Sequence, residues 1–521
     1  YLYYLSADPD HEGYSGLFEI PTLGGAPRKR AYDIDSRPTF APDGKSLAFY
    51  RGMPQKNREA LIVLDLGSGK ERELAFVSPP VSFLPSGSPA WAPDGKRIAA
   101  VESRGNTNDA LIVTYRVEDG RRETVGKPLF EILDLTWMPD GKSLVVCSFD
   151  RTTLRPGQLS TVSYPSGEIR KITSDASFYF NPSVSKDGTA LAALRVRQDG
   201  NLWVTTTDGH HAVSQLTFNS SDEGGIGSIT PGPDSTIYFE LLKDGAVGVW
   251  KIQASGANQQ RITQGSQNEF SPNFVAGKGL FFVRVEPDLT LHIWRSDPNG
   301  ENARQLTTGH GEQITGISPD GKTLVFTRDE EKDRLWTIST DGGEAVDHGK
   351  ATRGSASFSR DGTRILYTLI HTVDGRGTFT PVIAPASDAS KTTPTPLPPR
   401  PRDLEWTPDG TGLTYVQPSN GDRNLMRVNL ATGVSAEVTR FADGRIMEHR
   451  WSPDGKSILI RRRTGNIDNL WVTAADGSHS TAVTDFETGQ MLDERWSPDG
   501  KQIYFTYGNS GSDVVLVRNF K

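Results

Sequence analysis

Three short runs of charged residues stand directly before three tryptophans in the last quarter of this 521-residue chain. Asp403 and Glu405 precede Trp406, Glu448-His449-Arg450 precedes Trp451, and Asp493-Glu494-Arg495 precedes Trp496. Carboxylates, an imidazole and guanidinium groups held together could bind a polar ligand, coordinate a divalent ion or supply acid and base groups. The same residues also read as a network of ion pairs between neighbouring elements. Earlier stretches offer sparser versions, Glu131 with Asp134 and His310 with Glu312. Asp8-Pro9-Asp10-His11-Glu12-Gly13 resembles half of a calcium loop but lacks the closing bidentate Glu. His210-His211 are adjacent, so they cannot both converge on one metal unaided. There is no Gly-x-Ser-x-Gly nucleophile elbow and no His-Glu-x-x-His zinc motif.

What must position these residues is a repeat. Trp-Ser-Pro-Asp-Gly-Lys occurs at Trp451–Lys456 and Trp496–Lys501, looser copies lie at Ala41–Lys45, Trp91–Lys96, Trp137–Lys142, Ser318–Lys322, Ser359–Gly362 and Trp406–Gly410, and degraded ones at Ser185–Gly188, Gly232–Ser235 and Val275–Lys278. From Asp43 to Asp499 the ten intervals average about 46 residues, the period of a β-propeller blade. Within Glu448–Leu492 a short strand enters the Asp-Gly turn, which suits a hairpin because Gly accepts positive φ. Three further strands follow, at Ser457–Arg461, Asn469–Thr473 and Thr481–Thr484. Copies of the fourth strand end in Leu-Thr, Ile-Thr or Val-Thr. All ten tryptophans fall at two repeat positions, before the turn or in the third strand, where they fill the wedge between blades. The turn carboxylates are explained by the hairpin and sit on different blades, so they nominate no metal site.

The expected fold is therefore all-β: a β-propeller of about twelve four-stranded blades. Twelve exceeds the four to eight of one ring, which predicts two packed propellers, six and six or the remainder of seven and seven, with a single large ring as the alternative. The first would span 1–226, lacking an inner strand at its start, and the second 227–521, with the boundary between 223 and 270. The proline-rich Thr392–Pro401 replaces an outer strand, where proline is tolerated at an edge.

Composition narrows the classes. Lys and Arg number 57 against 64 Asp and Glu, a net charge of −7 without long runs, which argues against nucleic acid as a partner. No apolar run is long enough for a membrane helix. The single cysteine, Cys147, excludes an internal disulfide and reads as a core residue. Nothing calls for a cofactor, and a bound divalent ion is not indicated.

The Ser-Pro-Asp-Gly-Lys turn, the Leu-Trp-Val third strand and the Leu-Thr exit resemble the TolB-like β-propeller repeat over nearly the whole chain. Leu17–Arg28, Ser46–Arg51 and Asp513–Phe520 look similar to the propeller half of bacterial serine/threonine kinases and winged-helix regulators. No kinase signature is present. That resemblance implies a C-terminal part of a larger signalling protein, with further blades upstream of Tyr1. It implies a non-catalytic binding or sensory scaffold, periplasmic or extracytoplasmic with the cytoplasm as alternative. A protein, or a small polar ligand or glycan fragment, would be its partner at a propeller face. The binding residues would be Asp403, Glu405, Glu448, His449, Arg450, Asp493, Glu494 and Arg495. The alternative is a propeller enzyme, a metal-assisted polysaccharide lyase or hydrolase, which needs His449 to converge with two carboxylates or another His on one point. A serine peptidase would require an α/β-hydrolase domain after the last blade, and the sequence is expected to exclude that class.

Overall fold

The computed structural model describes residues 1–521 except 11–13, 84–86, 105–108, 150–156, 176, 210–211, 219–225, 244–245, 264–266, 289, 329–333, 352–355, 374–375, 399–400, 418–420 and 521. His210 and His211, and the end of the acidic loop at 11–13, lie outside the described residues. The fold is all-β; the described residues add one 3₁₀ turn at Pro54–Lys56, and no helix among them is long and apolar enough to cross a membrane.

The motif builds the turn with its own side chains. Ser452 donates its hydroxyl to Asp454 at 2.7 Å and accepts the Ser457 amide at 3.0 Å, while Asp454 also accepts the Lys456 amide at 3.0 Å. Serine, aspartate and the following strand thus lock one another. Ser318–Asp320 and Ser497–Asp499 repeat the arrangement. Gly455 has φ +74°, and a Cβ there would meet Pro408 of the preceding turn at 2.7 Å. Glycine is therefore required twice over, for the backbone angle and for the close approach of turns.

The Leu-Thr exits have an equivalent logic. Thr484 accepts the Leu470 amide at 2.8 Å and donates to Asn469 at 2.9 Å, tying the fourth strand's end to the third strand's start. Thr439 does the same with Leu425 and Asn424. Among the tryptophans before the turns, Trp406 and Trp496 reach backwards across the blade interface. The indole of Trp496 donates to the Arg450 carbonyl and that of Trp406 to the Ser357 carbonyl, each at 3.1 Å.

The chain divides into two compact units, Tyr1–Val196 with Asp374–Arg376 and Ser512–Lys521, and Arg197–Val373 with Gly377–Gly511. In the first unit, a three-stranded sheet (Leu2–Ala7, Ser15–Ile20, Arg28–Tyr32) is followed by sheets beginning at Thr39, Val81 and Ile132. Phe178–Val184 and the first half of Ala190–Thr206 follow, joined by Val515, Val517 and Phe520 from the chain's end in one core cluster. The second unit holds six four-stranded sheets, with first strands Ile226–Pro231, Glu269–Val275, Gln313–Ile317, Ser357–Phe358, Arg402–Trp406 and Arg445–Trp451. A further sheet is composite: Gln490–Trp496 and the start of Gln502–Arg518 are neighboured by the end of Ala190–Thr206 and by Ser214–Gln215. The last sequence repeat therefore acquires outer strands from residues some 300 positions earlier. Tyr504 packs with Leu202, Ile229 and Phe239, and Phe505 with Leu459 and Leu470, so the composite sheet contacts a neighbour on each side. The proline-rich stretch supplies only the two-residue outer strand Thr393–Pro394.

Candidate functional site

The eight charged residues singled out from the sequence lie on three consecutive first strands of the second unit, Arg402–Trp406, Arg445–Trp451 and Gln490–Trp496. Sequence spacing placed them at the strand starts. Asp403 does stand second in its strand, but Glu448–Arg450 and Asp493–Arg495 occupy the middle and end of theirs, because those two strands begin three residues earlier than the motif suggests. Glu405, Arg450 and Arg495 consequently share a cleft of about 610 Å³ with Pro408, Ser452 and Pro453 of the Ser-Pro-Asp-Gly turns.

Asp403 has φ +51°, at a bulge between the pairs Arg402–Val416 and Glu405–Thr414. The bulge turns its carboxylate toward the next strand, where it accepts the His449 amide at 2.6 Å and a short hydrogen bond from His449 Nδ1. His449 is fully buried, and its Nε2 lies 2.7 Å from the Thr414 hydroxyl, which also accepts the Trp451 indole at 3.1 Å. Burial opposes the imidazolium, but Asp403 and then Glu405 outweigh it and raise the His449 pKa. Burial likewise pushes Asp403 up, and the charges of His449 and Arg450 more than reverse this.

Arg450 links the next tier. It donates to Glu405 at 2.9 Å and to Glu448 at 3.3 Å, and Glu405 also accepts the Trp451 amide at 3.1 Å. Burial disfavours its charge, yet the surrounding carboxylates, Glu405 and Glu448 foremost, raise its pKa. Behind it, Arg461 approaches Glu448 at 3.4 Å and Glu494 at 3.1 Å and donates to the Met491 carbonyl. Glu494 is fully buried, with that ion pair as its only one among the described residues, and burial pushes its pKa up to about 8. Asp493 accepts the Ile229 amide at 2.9 Å and pairs with Arg495; burial raises its pKa too.

The structure brings the eight residues together. Three further participants escaped the sequence reading. Thr414 and Arg461 sit on second strands, where the run Arg461-Arg462-Arg463 was the available signal. Arg360 stands where most copies have proline, Ser-Arg-Asp-Gly for Ser-Pro-Asp-Gly, and reaches the Pro453 carbonyl at 2.6 Å. The earlier candidates are separate. Glu312 is buried against His292 at 3.0 Å and Arg328 at 2.8 Å, and Asp134 in the first unit pairs with Arg37 at 2.7 Å. In the acidic loop, Asp8 and Asp10 are both held by Lys29.

The lyase or hydrolase alternative required His449 to converge with other ligands on an open point. Both its ring nitrogens are engaged inside the blade interface, and no cluster of three or more metal-ligating side chains occurs among the described residues. His449 cannot serve that chemistry.

Residues 29–240 match the family model described as the TolB beta propeller domain, which supports the likeness to TolB-like propellers read from the repeat. The chain is 27% identical over 175 residues to a Bacillus subtilis (strain 168) protein named Uncharacterized peptidase YuxL, covering 34% of this chain and 24% of that protein. It is 28% identical over 180 residues to Dipeptidyl-peptidase 5 of Porphyromonas gingivalis, covering 31% of this chain and 26% of that one. The chain thus spans about a quarter of the length of the curated relatives it matches. Among solved structures it is similar to the tricorn protease, at 17% identity and a TM-score of 0.29, over 90% of this chain and 46% of the other. These relatives correct four expectations. The likeness to kinases and winged-helix regulators finds no support, because the matched proteins are peptidases. The non-catalytic sensory scaffold of a signalling protein is overturned for the same reason, and with it the expectation that the chain is no part of an enzyme. The expected exclusion of the peptidase class falls with them, since the matched proteins are named as peptidases.

Proposed function

We propose that this chain is the β-propeller of a peptidase and that the cleft at the turn end of its second unit receives the peptide. The observation that carries the reading is the 27–28% identity, over about a third of the chain, to proteins named as peptidases. The cleft suits the role. Its volume of about 610 Å³ is that of a small-ligand pocket, and it combines the side chains of Trp406, Trp451 and Phe358 with guanidinium and carboxylate groups. Apolar faces beside a few charged groups match a short peptide's side chains, carbonyls and termini.

Thr414, His449 and Asp403 form a hydroxyl–imidazole–carboxylate line similar in outline to a nucleophilic triad. Attack on a peptide bond needs a hydroxyl open to substrate, and Thr414 and His449 are both fully buried. We therefore assign this line to holding the blade interface, and peptide-bond attack to groups outside it.

The test is hydrolysis of short fluorogenic peptides by the natural gene product containing this chain. The expected result is peptide-bond cleavage, with Thr414→Val lowering stability by about 1–3 kcal/mol while turnover of the folded fraction stays within about twofold. A folded protein that cleaves none of a panel of short peptides would overturn the peptidase reading. Loss of turnover in folded Thr414→Val would overturn the structural assignment of the line.

A further inference from the structure

Charge is sorted within the cleft. Its lining includes Arg360, Arg450 and Arg495 but only one carboxylate, Glu405. Asp403, Glu448, Asp493 and Glu494 do not line it; they lie behind, against His449, Arg450, Arg461 and Arg495. These carboxylates thus anchor Arg450 and Arg495 from behind, and apart from Glu405 the charged groups that face the cavity are guanidinium groups.

Two of these retain unused hydrogen-bonding capacity. Arg360 is exposed and donates to a backbone carbonyl, that of Pro453; no carboxylate pairs with it among the described residues. Arg495 directs one terminal nitrogen to Asp493 and to the Glu494 carbonyl at 2.8 Å. Its other nitrogens have no partner among the described residues. A planar guanidinium with spare N–H groups is suited to a carboxylate, which it can hold through two parallel bonds. Arg360 crosses from its own blade to the turn two blades on, so this cation occupies a position that the proline of other copies cannot supply.

We infer that the cleft selects peptides through a carboxylate, held by Arg360 and Arg495 beside the faces of Trp406 and Trp451. The inference deepens the peptidase reading and rests on it for the class of ligand. The carboxylate has two sources, a free peptide C-terminus or an Asp or Glu side chain.

Calorimetric titration of the full chain with matched tetrapeptides distinguishes them. One pair is tetra-alanine as free acid and as C-terminal amide. The other is Ala-Ala-Glu-Ala and Ala-Ala-Gln-Ala, both amidated. The expected result is binding about tenfold or more tighter for the carboxylate member of one pair, and that pair names the source. Arg360→Ala should cut the preference about fivefold, and Arg360→Glu should remove it, with melting temperatures showing that both variants fold. Equal affinity within both pairs, preference for the neutral members, no binding of any peptide, or a preference untouched by Arg360→Glu would each overturn the inference. Binding is read without hydrolysis, so the two ideas can fail separately. Cleavage of neutral peptides without carboxylate preference leaves the peptidase reading standing, and preference without cleavage leaves the carboxylate site standing.

Discussion

Asp134 in the first unit and Asp403 in the second stand at the same repeat position, three residues before the tryptophan, and their surroundings differ sharply. Asp134 is met by Arg37 from another blade at 2.7 Å, and burial still raises its pKa despite that partner. Asp403 belongs to a chain of charges running through His449, Arg450, Glu448, Arg461 and Glu494 over three blades. The cavities follow suit. The cleft of about 1050 Å³ in the first unit sets apolar groups such as Leu74, Phe76, Val77 and Leu111 beside a mainly acidic set, Glu73, Glu102 and Asp109 with Arg122, and Glu102 is held by Arg122 and Tyr115. The smaller cleft in the second unit is lined by guanidinium groups that stay partly open. The repeat supplies one frame to both units, and the positions it leaves variable decide which charges line each cleft, mainly carboxylates in the first unit and mainly guanidinium groups in the second.

The contrast can be broken most forcefully at Arg461. It is 6% exposed and touches Glu448, Glu494 and the Met491 carbonyl. Arg461→Met leaves Glu494 buried without compensation and is expected to cost about 3–5 kcal/mol in chemical denaturation at pH 8 and above. The cost should shrink in acid. Because the folded pKa of Glu494 is raised to about 8 from an ordinary value of 4.5, its contribution to stability is complete below 4.5 and is lost as pH rises through about 8. Glu494→Gln should therefore flatten the fall in melting temperature between pH 5 and 9.

Asp403→Asn is expected to cost about 2–3 kcal/mol by removing a buried charged hydrogen bond. His449, whose pKa is raised, contributes stability below its ordinary 6.5 that is lost as pH rises through the higher folded value. Asp403, whose pKa is lowered, contributes stability above its ordinary 3.8 that is lost as pH falls through the lower folded value. The pair therefore stabilises most between these limits, and Asp403→Asn should move the His449 titration, read by NMR, to lower pH. The smallest effect belongs to the first unit. Arg37, with its side chain 47% exposed, should cost about 1 kcal/mol as Arg37→Ala. A cost equal to that of Arg461→Met would erase the difference between the units.

Much of this was legible beforehand, and for clear reasons. Period, turn and strand order follow from local chemistry that each copy repeats, so Ser452, Asp454, Gly455 and the tryptophans read correctly one by one. The eight charged residues could be gathered because the repeat sets equivalent positions side by side. Their depth could not. Nothing local says that Glu494 is sealed while Arg495 reaches the cleft, since that depends on the bulge at Asp403 and on the second-strand residues Thr414 and Arg461. Arg360 was hidden by the motif itself: it looked like decay of a proline, and in the fold it is a cation reaching across two blades. The composite sheet was equally out of sight, because Ala190–Thr206 runs as one strand through what the repeat divides.

The central claim is that a peptide enters the turn-end cleft of the second unit. Photocrosslinking tests it most directly: a short peptide bearing a benzophenone is irradiated with the full chain, and the modified residues are mapped by mass spectrometry. The account predicts adducts on the strand ends at Leu404–Trp406, Arg450–Trp451 and Arg495, competed away by unlabelled peptide. Adducts confined to other surfaces, or insensitive to competition, would contradict it.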